Sequence, residues 1–332
     1  MKLTRRHRII IVVASVVVLI ATTLVGIGIN HALFSASGFV TQYLNALSRH
    51  DAASALSMPG VGDALPADAD TTLLRGSAMG ELTDIRILKV SGSNERTNVT
   101  ASYLVGGENA TGTFVVTRLG NTFGIFESWG FAELPVARTK VSVWHDASFT
   151  VGDSGQIDLR STPSGSEATG WEGTGTFLLF APGNYIFTHN SEWLTATKQS
   201  LNIESPGDTA EIVVDVQANK KFNQRVQEEV DTYLDECVTQ HVLQPTGCPF
   251  GYETGNRIVG EPSWEIVTYP PIAVEPRDGS WQVVNATGTV KVTGEVQSLY
   301  DGTISPLEEE VPVVLNILIT ITADGQLAIE LR

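Results

Sequence analysis

Four residues, Gly152-Asp153-Ser154-Gly155, place a serine where the nucleophile of a Ser-His-Asp hydrolase would sit. That chemistry needs a histidine base and an orienting carboxylate within hydrogen-bond reach of the hydroxyl. The nearest histidine in sequence is His145, followed by Asp146, and Gly155 leads into Gln156. Asp-Ser-Gly between Val151 and Ile157 is equally an ordinary hairpin turn, and the turn is the reading taken here. A serine nucleophile of the Ser-x-x-Lys type is ruled out, because no serine has a lysine three residues on.

Metal chemistry finds no better footing. His7, His31, His50, His145, His189 and His241 are isolated, with no pair at helical ligand spacing. Glu308-Glu309-Glu310 offers carboxylates without the alternating oxygen ligands of a dedicated calcium loop, so it reads as a solvated charge run. Neither a metal nor a cofactor is expected. Cys237 and Cys248 are the two cysteines; an even count in an oxidising compartment reads as one disulfide. Six tryptophans are spread along the chain. Most aromatics in strands pack in a core, but Trp171 and Trp193 lie in polar surroundings, open to stacking on a sugar or anchoring a partner. No catalytic residue is assigned and the binding residues are left open.

The elements that must position these groups follow from patterning. Residues 9–29 contain no charged side chain, and a bilayer core needs ~20 apolar residues in a helix. Lys2, Arg5, Arg6 and Arg8 precede this run and no Lys or Arg follows until Arg49. The positive-inside rule then predicts a cytoplasmic tail at 1–8, a transmembrane helix at 9–29 and extracytoplasmic domains beyond it. A signal peptide cleaved near Ser35-Ala36-Ser37 is the alternative, disfavoured because signal peptides carry an apolar region of only ~7–15 residues. The whole chain has net charge −16; beyond the tail, 17 basic residues face 37 acidic ones, a balance of −20. Such a surface repels nucleic acid and anionic lipid headgroups.

Residues 35–57 read as helical, with Phe39, Tyr43, Ala46 and Leu47 on one face and Asp51 capping a second short turn. Four alternating segments between Asp84 and Trp129, separated by glycines, predict an antiparallel meander. Leu134-Pro135 marks a boundary. From 139 to about 219 only strand patterns appear, around a Gly/Ser/Thr-rich stretch at 161–174 read as a mobile loop; this predicts a small β-sandwich. Phe222, Val226, Val230, Tyr233, Leu234, Cys237 and Val238 form a helical stripe, and strand candidates follow at 264–269, 281–296, 311–322 and 327–331. The expectation is an α+β protein: an α+β module at 36–135, a β-sandwich at 136–219 and a second α+β module with one disulfide at 220–332.

Three segments carry a family resemblance. FVTQYLNALSRHDAASAL (39–56) resembles the opening helix of the NTF2-like ectodomains of Gram-positive single-pass membrane proteins, and NTFGIFESWGF (121–131) resembles their closing strand. TFLLFAPGNYIFTH (176–189) is similar to PEGA-type and other Ig-like β-modules, sharing their Pro-Gly-x-Tyr turn. The order resembles the extracellular part of teicoplanin-resistance-associated envelope proteins and their actinobacterial relatives. The zinc-ribbon N-terminus of some such proteins is absent, since no cysteine precedes position 237. The resemblance implies two NTF2-like modules and a membrane-anchored envelope role. That role would be a non-catalytic binding or scaffolding one, toward an envelope protein or cell-wall component. A ligand-binding or catalytic pocket inside an NTF2-like module is the alternative, because the fold alone decides no function.

Overall fold

The computed structural model describes residues 34–331 apart from 68, 94, 123–125 and 166–167. Helix α1, Ala36–Ser48, starts where the Ser35 hydroxyl accepts the Gly38 N–H at 3.1 Å. It buries Phe39, Val40, Tyr43, Leu44 and Leu47 along one face. A short turn of helix, α2 (Ala52–Leu56), is capped by Asp51, whose carboxylate accepts the Ser54 N–H. The face of α1 packs on an antiparallel sheet of β1 (Leu82–Ser93), β2 (Arg96–Val105), β3 (Glu108–Thr122) and β4 (Phe126–Phe131), in that order. Tyr43, Phe114 and Phe131 fill the space between them, with ring centroids 5.0–6.4 Å apart.

The next seven strands form one sheet: β5 (Val136–Trp144), β6 (Ser148–Val151), β7 (Gln156–Asp158), β8 (Glu172–Phe180), β9 (Gly183–Asn190), β10 (Leu194–Ile203) and β11 (Thr209–Ala218). Strand β11 closes it by serving two partners. Its first part, Thr209–Asp215, pairs parallel with β5, and Val216–Ala218 then pairs antiparallel with β10. The stretch read as a mobile loop is partly regular, with a tight helical turn at Pro163–Gly165 and β8 already begun at Glu172.

Helix α3, Lys220–Val238, is capped by the Asn219 side chain and buries Phe222, Val226, Val230, Leu234 and Cys237. It lies beside a five-stranded sheet of β12 (Arg257–Thr268), β13 (Glu275–Arg277), β14 (Ser280–Gln297), β15 (Ile304–Ile321) and β16 (Leu327–Leu331). Cys237 and Cys248 form a disulfide that ties the end of α3 to the loop leading into β12.

Two expectations are corrected. The chain is not α+β: 16 strands dominate the described residues, against three α-helices of 13, 5 and 19 residues. The helices of the first and last modules are single elements laid on broad sheets rather than a layer of their own. The last module rests on the β14–β15 hairpin, whose strands run 18 residues each. Strand β15 begins well before the predicted Val311 because Glu308, Glu309 and Glu310, read as a solvated run, pair with Thr293, Val292 and Lys291. The NTF2-like architecture is therefore not carried further. The single-pass membrane placement is corrected as well. Among the described residues no helix is long and apolar enough to cross a membrane. The longest of them, α3, carries Lys220, Lys221, Arg225, Glu228, Glu229, Asp231, Asp235 and Glu236. The predicted tail 1–8 and span 9–29 lie outside the described residues. The cell-membrane, extracytoplasmic localisation that rested on that span is dropped.

The three sheets share one contiguous core. Across the predicted boundary at Leu134-Pro135, the Tyr43 hydroxyl donates to the Pro135 carbonyl oxygen at 2.7 Å, and the Gly80 N–H donates to the Asn184 carbonyl oxygen at 2.7 Å.

Candidate functional site

The pairing of β5 with both β8 and β11 decides what meets at one end of the seven-stranded sheet. Trp144, the last residue of β5, stands opposite Glu172 on β8 and Asp215 on β11. The residues just beyond those strand ends, His145 and Trp171, therefore come together, with ring centroids 5.4 Å apart. His145 takes a left-handed backbone (φ +65°), which ends β5 and turns the chain into Asp146. The β9–β10 turn, Ser191-Glu192-Trp193, arrives at the same end. Asn219, whose N–H donates to the Trp193 carbonyl oxygen at 2.8 Å, starts α3 there. Phe222, in the first turn of α3, then sits between Trp193 (6.0 Å) and Trp281 (5.9 Å) at the start of β14.

A cavity of about 520 Å³ lies at this junction of the seven-stranded sheet, α3 and the last sheet. Its aromatic wall is Trp171, Trp193 and Trp281, joined by His145; Trp171 and Trp281 meet edge to face at 5.3 Å. Its polar wall includes Asp146, Arg160, Ser191, Glu192 and Thr320. The volume falls within the ~300–1,000 Å³ of small-molecule sites, which combine aromatic walls with a few placed polar groups.

The indole N–H groups sort the tryptophans. Trp193 donates to the Gly325 carbonyl oxygen at 2.7 Å, Trp264 to that of Val242 at 2.8 Å and Trp129 to that of Phe34 at 3.0 Å. Trp144, Trp171 and Trp281 donate to no acceptor among the described residues, and of these Trp171 and Trp281 line the cavity. Neither indole nitrogen is among the buried unpaired atoms, so each N–H on the cavity wall reaches solvent and is open to an acceptor. His145 supplies the opposite polarity. Its Nδ1 faces the Val216 carbonyl oxygen at 3.1 Å and Asp215 Oδ1 at 3.0 Å, both acceptors, which places a proton on Nδ1; in the neutral ring Nε2 is then the acceptor.

The cations around the cavity are matched within the protein. Arg160 is held in a fork by Asp158 (2.7 and 2.9 Å), and Lys221 pairs with Glu192 while lying 4.8 Å above the Trp193 ring. Asp146 accepts from the Ala147 N–H and the Ser148 hydroxyl, both at 2.7 Å.

Ser191 Oγ lies 3.2 Å from His189 Nε2, and His189 Nδ1 lies 3.5 Å from Asp146 Oδ2, the order of a nucleophile, a base and an orienting carboxylate. The geometry is structural. His189 is buried (1% exposed), its Nδ1 has a nearer acceptor in the Ser148 carbonyl oxygen at 3.0 Å, and the Ser191 hydroxyl is engaged by the Leu194 N–H in the turn. Ser154 sits in the β6–β7 turn with its N–H on the Val151 carbonyl oxygen, between Gly152 and Gly155, both at positive φ. His50 contacts the Gly80 carbonyl oxygen and His241 that of Pro262. His7 and His31 lie outside the described residues. Among the described residues no three His, Cys, Asp or Glu gather as a metal site.

The groups pushed furthest from their ordinary pKa lie outside the cavity. Burial raises the phenols of Tyr43, Tyr103 and Tyr185, which belong to the junction between the first sheet and the seven-stranded sheet. The cavity tryptophans were half legible. Trp171 and Trp193 are half-buried rather than open, while Trp144, read as a strand residue, is 48% exposed. Trp281 and Phe222 were missed as site residues. The signal available was that Trp171, Trp193 and Trp281 each adjoin a turn, beside Gly170, Glu192 and Gly279-Ser280. No family model, no curated protein and no solved structure matches this chain.

Proposed function

We propose that this chain is a non-catalytic binding protein and that its ligand or partner seats in the tryptophan-lined cavity between the seven-stranded sheet and the last sheet. The observation that carries the reading is the cavity itself, about 520 Å³ and walled by Trp171, Trp193 and Trp281, with the indole N–H groups of Trp171 and Trp281 open to an acceptor. The packed aromatic interior between α1 and the first sheet supports it, since the runner-up reading needs an open pocket there. The acidic balance of the chain disfavours nucleic acid as the ligand.

The six indole N–H signals of the 15N-labelled protein test the reading directly. In titration with a mixed small-molecule library, ligands should move the Trp171 and Trp281 signals and leave Trp144 and Trp264 in place. Binding confined to other surfaces would refute it.

A further inference from the structure

We propose that the cavity takes a neutral saccharide, held by its ring faces on Trp171 and Trp193 and by its hydroxyls on the indole N–H groups of Trp171 and Trp281 and on His145 Nε2. The proposal rests on the binding reading above and names the ligand class of the same site.

Three features of the cavity separate this class from others. The first is charge. Arg160 is taken by Asp158, Lys221 by Glu192, the His145 Nδ1–H by Asp215 and Val216, and Asp146 by Ala147 and Ser148. An anionic ligand would shed its hydration without an unmatched cation to meet it, which is unfavourable. The second is ring geometry. Trp171 stands at 62° to Trp281 and 65° to His145, and Trp281 stands at 65° to His145. No two of these rings are parallel, so they do not form the slot that would sandwich a planar base or other flat aromatic ligand. Perpendicular rings offer faces in one direction and N–H edges in another, which suits a puckered ring with apolar C–H faces and a polar rim.

The third is the mix of donors and acceptors. Two unspent N–H groups and the His145 Nε2 acceptor share one wall system with aromatic faces. A purely aliphatic ligand would leave those donors unpaired in a site from which it excludes water. A hydroxyl both donates and accepts, so a polyol rim satisfies both kinds of group, while its C–H faces meet the electron-rich faces of the indoles. The half-buried Trp171 offers ring surface to the cavity; Lys221 over Trp193 enriches one side of that ring with positive charge and leaves the sugar to the other.

The test uses the full chain, 15N-labelled on its indoles, titrated separately with neutral di- and trisaccharides of glucose and of N-acetylglucosamine, with glucuronic acid, with adenosine and with a mixed tripeptide library. Saturable shifts of the Trp171 and Trp281 signals with a neutral saccharide are expected. Trp171→Ala should weaken that binding at least tenfold and Trp281→Phe severalfold, with Trp144→Ala unchanged. Should Trp281→Phe fail to fold, Trp171→Phe, which keeps a ring face and removes the N–H, should weaken binding less than Trp171→Ala. Cavity signals that move with glucuronic acid, adenosine or peptide but with no neutral saccharide would overturn the ligand class and leave the binding reading standing. Cavity signals silent to every probe would overturn both.

Discussion

The indole N–H of Trp193 donates to the carbonyl oxygen of Gly325 at 2.7 Å, across 132 residues of sequence. The β9–β10 turn of the seven-stranded sheet is thereby held to the hairpin turn between β15 and β16, and one edge of the cavity is closed by this contact. Trp193→Phe keeps the ring and removes the donor. The loss should cost about 1 kcal/mol and lower Tm by about 2 °C. Hydrogen exchange in the turn at 322–326 should quicken. Unchanged Tm and unchanged exchange would show that the two turns are held by other contacts.

The Cys237–Cys248 bridge closes a loop of 11 residues in sequence separation around the end of α3. By the chain-entropy model a loop this short contributes about 3 kcal/mol. Reduction should therefore lower Tm and speed exchange around 237–252, where Tyr233 also donates to the Gly247 carbonyl oxygen. The unreduced, denatured protein should show no titratable thiol. Two free thiols in that assay would refute the bridge.

Ser191 and His189 share a hydrogen bond without forming an activated nucleophile, because the Asp146 carboxylate and the serine hydroxyl are both committed to the turn. A fluorophosphonate probe should leave Ser191 unlabelled in the folded protein, and Ser154 likewise. Stoichiometric labelling of Ser191, abolished in Ser191→Ala, would convert the cavity from a binding site into an acyl-transfer site.

Tyr269 donates its hydroxyl to Asp235 Oδ1 at 2.5 Å, linking the end of the β12 region to the outer face of α3. The Asp235 carboxylate beside it raises the phenol pKa to about 12. The folded state holds this proton longer than the unfolded chain does. The pair's contribution is therefore complete below about pH 10 and is lost as pH rises through about 12. Tyr269 is 39% exposed, so the effect on stability is small. The titration itself is the better readout: Asp235→Asn should move the Tyr269 phenol transition downward. A transition that stays in place would show that the carboxylate is not its cause.

Several local elements were legible in the sequence because their causes lie within a few residues. Asp51 caps α2 through a hydrogen bond three residues away. The stripe from Phe222 to Cys237 is a period of three and four, and it became the buried face of α3. Alternation in 97–105 placed Val99, Ala101, Tyr103 and Val105 on one buried face of β2. The Gly152–Gly155 turn follows from residue types that accept a left-handed backbone.

What the sequence by itself determined about this protein is therefore its acidic balance, its turns and caps, and the inward faces of its helices and strands. The balance of strand over helix escaped that reading, since Glu308–Glu310 joins a strand only because Lys291, Val292 and Thr293 lie across from it. The cavity was decided by tertiary structure alone. Parallel pairing of β11 with β5 joins segments about 70 residues apart, and it is this pairing, with the start of α3, that gathers His145, Trp171, Trp193 and Trp281. Side-chain periodicity encodes which face a residue presents and carries no record of which distant strand will meet it. The unspent indole N–H groups of Trp171 and Trp281 are left on the cavity wall only once the carbonyl oxygens that serve Trp193, Trp264 and Trp129 have been allotted by the fold.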